Sequence, residues 1–245
     1  MANWSDPQRT YAAQPQVQSA AYDAGLRSYM LSVYNYMASA VLLTGVVAMA
    51  FSWGYEDSYA YQILVGGGPL AWLIMLSPLA IVFAMSFGQA KMSTGTLQVL
   101  FWGFAVLMGL SLSTVFLRYT GESIATAFFA TAAGFAGLSL WGYTTKRDLS
   151  GFGTFLIMGL VGLIVASLLN LFFQSNTMSL VIAGIGVLVF AGLTAYDTQK
   201  IKSMYAYVAG TDMMGKTVIM GALNLYLDFI NMFLFLLRLF GSARN

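Results

Sequence analysis

Leu223-Asn-Leu-Tyr-Leu-Asp-Phe-Ile-Asn-Met-Phe233 sets an aspartate, Asp228, in a run otherwise fit for hydrocarbon. A carboxylate at the centre of a membrane helix costs at least about 2.5–3.5 kcal/mol on insertion scales. A residue that costly is kept for a partner, a water-filled cavity or a chemistry. Asn224, Asp228, Asn231 and Arg238 recur at spacings of four, three and seven, which on a helix puts all four on one stripe. A polar stripe on an apolar helix faces the protein interior or a cavity. The stretch therefore predicts an all-α bundle in which this last helix is surrounded by the others.

The rest of the chain agrees with a membrane solvent. Of 245 residues, 59% are hydrophobic and 8% charged, against about 25% charged in a soluble domain, and the mean hydropathy is +0.75. The net charge of +2, with no basic run longer than Lys146-Arg147, gives no footprint for nucleic acid. Cysteine is absent, which excludes disulfides, thiolate metal sites and a cysteine nucleophile. Histidine is absent too, which removes the usual pH switch, the commonest metal ligand and the usual serine-hydrolase base. No cofactor and no enzymatic activity are expected, and proton sensing near neutrality falls to carboxylates.

Seven apolar segments of about the ~20 residues a spanning helix needs are read at 28–53, 69–88, 94–117, 122–144, 151–173, 178–199 and 218–240. Residues 1–27 are polar and expected to form a disordered cytoplasmic tail with a helical end, ahead of a membrane domain over 28–245. The start lacks the basic stretch and apolar core of a cleaved signal peptide. Connections at the amino-terminal end carry eight Lys and Arg against three at the other, so the amino end is expected inside and the carboxyl end outside. Trp53 and Tyr55 suit an aromatic belt. Ala130, Gly134, Gly137, Gly159, Gly162, Gly184 and Gly186 are expected at close helix contacts.

A second acid, Asp197, lies in Gly192-Leu-Thr-Ala-Tyr-Asp-Thr-Gln-Lys-Ile-Lys202. Its spacing fits an interfacial residue near Lys200 and Lys202 as well as a partner for Asp228. Asp228 lies ten residues beyond Val218, or about 15 Å. The two meet only if the seventh helix starts below the membrane surface or the sixth tilts inward. If they meet, a shared proton holds them together and the pair titrates as a unit. Ca²⁺ seeks six to eight oxygens, for which Asp197, Asp228, Asn224, Asn231, backbone carbonyls and water are candidates. Arg238 would line the same path. Lys146-Arg147-Asp148 reads as a topology anchor in which Asp148 caps the fifth helix.

The segments Gly142-Tyr-Thr-Thr-Lys-Arg-Asp-Leu-Ser150, Gly192–Lys202 as quoted, and Ala222-Leu-Asn-Leu-Tyr-Leu-Asp-Phe-Ile-Asn231 resemble the Bax inhibitor-1 family, also called the transmembrane Bax inhibitor motif family. The resemblance covers roughly residues 28–242. It implies a seven-helix bundle with the seventh helix central, and a pH-sensitive Ca²⁺ leak whose proton sensor is an aspartate pair at Asp197 and Asp228. It further implies, for some members, a basic latch on the second span; here Pro69 to Gly88 has no charge. The short loops look like those of a bacterial inner-membrane member. Two other readings compete. A membrane interaction protein restraining a membrane protease or quality-control complex would use the polar tail. An intramembrane aspartyl protease would match Tyr196-Asp197, but its second aspartate belongs in Gly-x-Gly-Asp with a later Pro-Ala-Leu, and no proline follows Pro78.

Overall fold

Long apolar windows in a solvent without hydrogen-bonding partners force the backbone to satisfy itself, which helices do segment by segment. The computed structural model describes residues 8–244, with side chains from Ala20 onward. Its helices are α1 (Gln8–Phe51), α2 (Pro69–Gly88), α3 (Thr94–Arg118), α4 (Gly121–Thr144), α5 (Ser150–Phe173), α6 (Asn176–Val208) and α7 (Met213–Phe240). All seven are long and apolar enough to cross a membrane, and among the described residues there is no strand beyond an isolated bridge, Tyr119 to Ala243. This is a multi-pass, seven-helix membrane bundle. Helix starts use the expected capping chemistry. Ser93, Thr120 and Ser175 accept from the backbone N–H groups of Thr96, Ser123 and Met178. Gly67 and Gly68 hold positive φ (74° and 110°) in the turn into α2, where Pro69 opens the helix.

Three boundaries depart from the sequence reading. Helix α1 already begins at Gln8, so much of the polar segment 1–27 is helical backbone; residues 1–7 lie outside the described residues. Helix α6 runs on to Val208 and α7 begins at Met213. The extra turns of α6 bury Ile201, Tyr205 and Val208, a helical spacing that outweighs the polar lysines between them.

Helix α7 packs against α1, α3, α4 and α6, α5 packs mainly on α6, and α2 mainly on α3. In the most apolar window of α7, 67% of residues are buried, against 17–44% in the other spans. At the end holding the carboxyl terminus, the chain after α7 is tied to the α3–α4 connection: the Arg244 N–H donates to Arg118 O (2.9 Å) and the Ser242 N–H to Ser123 Oγ (2.9 Å). Trp53 is 79% exposed at this end, and the Arg244 guanidinium lies 3.3 Å from the centroid of the Tyr55 ring.

The small residues serve differently from expectation. Gly134, Gly137, Gly162 and Gly184 have no neighbour within 4 Å of where a Cβ would stand, and Ala130 is exposed. These face outward, because spacing along one helix does not say which side meets a partner. Of the expected set, Gly159 and Gly186 face neighbours, Val189 and the Phe235 ring. The tightest approach of a glycine to another helix's backbone falls at Gly142, where a Cβ would lie 2.3 Å from Ala195 O on α6.

Candidate functional site

The α6 extension and the early start of α7 bring the two aspartates to similar depth. Asp197 lies eleven residues before Val208 and Asp228 fifteen after Met213, or about 16 and 22 Å from those ends. Helical side chains lean toward their own amino terminus. In this antiparallel pair that moves Asp197 deeper and Asp228 shallower, closing the remaining turn. The two carboxyl groups lie close enough for each to act on the other's charge. Asp228 is 4% exposed, and its Oδ2 is buried with no hydrogen-bond partner. Asp197 is half-buried, and its nearest cation is Lys200 on its own helix. Helix α2 contributes no charge.

The other stripe residues separate from the pair. Asn231 Nδ2 donates to Leu227 O of its own turn (2.8 Å) and shares a cavity of about 760 Å³ with Arg238. Neither aspartate lines that cavity, which stops three residues short of Asp228, about 4.5 Å along the helix. Asn224 is half-buried, one turn to the other side, and lies outside this cavity. A second cavity, about 480 Å³, opens between α1 and α4 and is lined by Arg27, Tyr34, Ser139 and Tyr143 among others. Ser139 Oγ is 3.0 Å from Thr198 Oγ1, the residue after Asp197. The pair thus sits between two cavities and opens into neither. Among the described residues no group of three or more His, Cys, Asp or Glu is placed to hold a metal ion. The pair offers two carboxylates, and any further oxygens would come from amides, backbone or water.

Packing around Asp197 was not legible from spacing. Gly142 meets Ala195, and a Cβ at Gly153 would lie 2.3 Å from the Tyr196 ring. Gln199 Oε1 accepts from the Leu149 N–H (2.9 Å) while its Nε2 donates to Arg147 O (2.8 Å). Lys202 Nζ donates to Tyr143 O (2.8 Å) and lies 4.8 Å from the Tyr143 ring centroid. The segments 142–150 and 192–202 are therefore one interlocked unit, with Gln199 clamping the α4–α5 connection. Asp148 accepts from the Ser150 N–H (2.9 Å). It stands one residue ahead of the expected capping position, which Leu149 occupies without a side-chain bond. On the other flank of α7, Tyr226 Oη is 2.8 Å from Thr44 Oγ1, which donates to Ala105 O (2.9 Å), joining α7, α1 and α3.

A family model described as "Inhibitor of apoptosis-promoting Bax1" matches residues 26–245. The chain belongs to the Bax inhibitor-1 family. It is 50% identical to RP147 of Rickettsia prowazekii, covering 93% of this chain and 95% of the relative. It is 45% identical to the inner membrane protein YbhL of Escherichia coli, over 90% and 94%. A protein of Caulobacter vibrioides is 44% identical over 91% and 92%. The Bax inhibitor-1 match takes in α1 from Leu26 onward, the six later helices whole and both interlocked segments.

Proposed function

We propose that this protein is a proton-gated cation leak in a bacterial inner membrane, preferring Ca²⁺, with Asp197 and Asp228 as its gate. The observation that carries the reading is the buried Asp228 carboxyl, with one oxygen unpartnered and Asp197 as its polar neighbour. With one proton between them, the carboxyl groups hold α6 and α7 together across a low-dielectric contact. With none, two negative charges at that distance repel, and the repulsion is relieved by separating the helices or admitting a cation. Cavities approaching from either end and stopping short of the pair fit a closed gate. Ca²⁺ enters as cargo, held in passage by the two carboxylates, with Asn224 and Asn231 as further candidate oxygens and Arg238 at the rim of the larger cavity. Helix α2 carries no basic latch, and Lys200 supplies positive charge beside Asp197 from within α6.

In proteoliposomes loaded with a Ca²⁺ indicator, Asp228→Asn is expected to abolish the pH dependence of Ca²⁺ flux, and Asp197→Asn to shift it. Flux and pH response both equal to wild type in Asp228→Asn would overturn the gate. A role in restraining a membrane protease complex would rest on residues 1–27. Their deletion, losing a co-purifying partner while flux is kept, would assign that role to the tail.

A further inference from the structure

We infer that the cavity between α5, α6 and α7 is a binding site for an anionic phospholipid, whose phosphate is held by Arg118 and Arg238. Because α5 packs mainly on α6, its flank toward α7 and the end of α3 is left open, and the cavity of about 760 Å³ fills that gap. That volume falls within the range of small-molecule sites. Its long wall is apolar, formed by Leu160, Leu163, Ile164, Leu168, Phe190 and Phe235. Its other end is polar, with Asn170, Gln174, Asn176 and Ser179, and both arginines stand there. Arg118 closes α3 and Arg238 lies in the last turn of α7. The same two arginines, with Tyr119, Asn176 and Ser179, also line an adjoining cavity of about 590 Å³.

Among the described residues no acidic side chain lines either cavity. Glu56 faces Arg118 across a third, separate cavity. Asn176 opens α6 without an acidic residue in its first turn, so the free N–H groups of that helix add positive potential at the same place. Two guanidinium groups bind phosphate through forked donors. A slot lined by leucine and phenylalanine accepts an acyl chain. A free anion would satisfy only the charged end and a neutral lipid only the wall. An anionic phospholipid satisfies both. Bound there, its phosphate would also cancel the positive charge at the rim, and this consequence alone rests on the cation-leak reading.

The test uses the full-length protein in neutral detergent, with thermal unfolding and native mass spectrometry on added phosphatidylglycerol, phosphatidylcholine and inorganic phosphate. Phosphatidylglycerol is expected to bind and raise the unfolding midpoint, and the other two to do neither. Arg118→Gln with Arg238→Gln should weaken phosphatidylglycerol about twenty-five-fold, at roughly a factor of five per basic residue. The double Arg→Lys variant, which keeps the charge and loses the fork, should bind between the wild type and the Arg→Gln pair. Lys146→Gln with Arg147→Gln, at the opposite end, should leave it unchanged. Ser167→Trp, which fills the slot without touching charge, should weaken the lipid. Equal effects of the two lipids, a full effect of inorganic phosphate alone, or unaltered binding in Ser167→Trp would each overturn the inference. If the Arg→Gln pair does not fold, the wild-type comparison and Ser167→Trp decide it. Ca²⁺ flux is not read, so failure here is distinct from failure of the gate.

Discussion

Single side chains show where polar groups are held with and without compensation. Asp228 was legible because an acid in an apolar run stands out whatever surrounds it. Asp197 was ambiguous because Lys200 and Lys202 resemble a helix end. What carries the helix past those lysines is the burial of Ile201, Tyr205 and Val208, a spacing of four and three that was present in the sequence and masked by the lysines. The neighbouring network offers a direct test. Tyr226→Phe removes the hydroxyl that meets Thr44 while leaving Thr44 bonded to Ala105 O. The loss should be about 1 kcal/mol, read as a lower unfolding midpoint in detergent. No change would mean that the hydroxyl contributes nothing net to holding α7 on α1. Asp148 gives a pH-dependent case outside the spans. Hydrogen bonds from the Ser150 hydroxyl and then its backbone N–H hold its carboxyl below the usual range. A carboxyl depressed in the folded state stabilises above its unfolded pKa, and that contribution is lost as pH falls through the folded value. Hydrogen exchange at the first turn of α5, expressed relative to the intrinsic rate at each pH, should therefore accelerate on acidification in the wild type. In Asp148→Ala it should be fast already at neutral pH. Equal exchange in the two proteins at pH 7 would remove the capping role.

Between helices, apolar length located all seven spans, since a bilayer fixes how much chain must be covered, although α1 begins and α6 ends well beyond the run read for each. Contacts were another matter. Small residues on one helix carry no information about the rotation of the next, so Gly134 and Gly137 were expected at an interface and face outward, while Gly142 holds the closest approach to another helix's backbone. Three sequence segments were read as separate marks of family resemblance. In the fold, two of them, 142–150 and 192–202, lock to each other through Gly142, Tyr143 and Gln199. The third supplies Asp228. The α4–α6 contact therefore sets the position of Asp197 relative to α7. Gly142→Ala drives a methyl against Ala195 backbone rather than a yielding side chain, and overpacking of this kind costs typically about 1–3 kcal/mol. Its unfolding midpoint should fall, and the strain should reach Thr198 through Ser139. In liposomes the same variant should move the pH at which Ca²⁺ flux changes, although no titratable group is altered. A lower midpoint with an unmoved pH profile would separate the α4–α6 contact from the gate. Gln199→Ala is milder, leaving the Leu149 N–H and Arg147 O without their partner. It should loosen the 145–149 connection in hydrogen exchange while leaving the spans protected.

Orientation in the bilayer is the property that no single helix holds. The seven spans place the α2–α3, α4–α5 and α6–α7 connections at one end, and the α1–α2, α3–α4 and α5–α6 connections with the carboxyl terminus at the other. The first end carries Arg27, Lys91, Lys146, Arg147, Lys200, Lys202 and Lys216; the second carries Arg118, Arg238 and Arg244 beside Glu56, Asp57 and Glu122. Lysines and arginines in short connections are retained on the cytoplasmic side, and the excess here predicts one orientation. Because the chain contains no cysteine, single substitutions report topology without background. Tyr59→Cys and Ala243→Cys should react with a membrane-impermeant maleimide in intact spheroplasts. Ala90→Cys and Ala209→Cys should react only after permeabilisation. These four positions are exposed and uncharged, so the substitutions leave the charge balance that drives insertion untouched. The reverse pattern would place the arginine-lined cavity on the cytoplasmic side, and labelling of both sets in intact spheroplasts would mean a mixed population. With the expected pattern, α6 and α7 meet at the cytoplasmic end, and the Asp197–Asp228 pair lies nearer that compartment than the outside. Changes in internal rather than external pH should then shift the Ca²⁺ flux first, which oriented vesicles with each side buffered separately can measure.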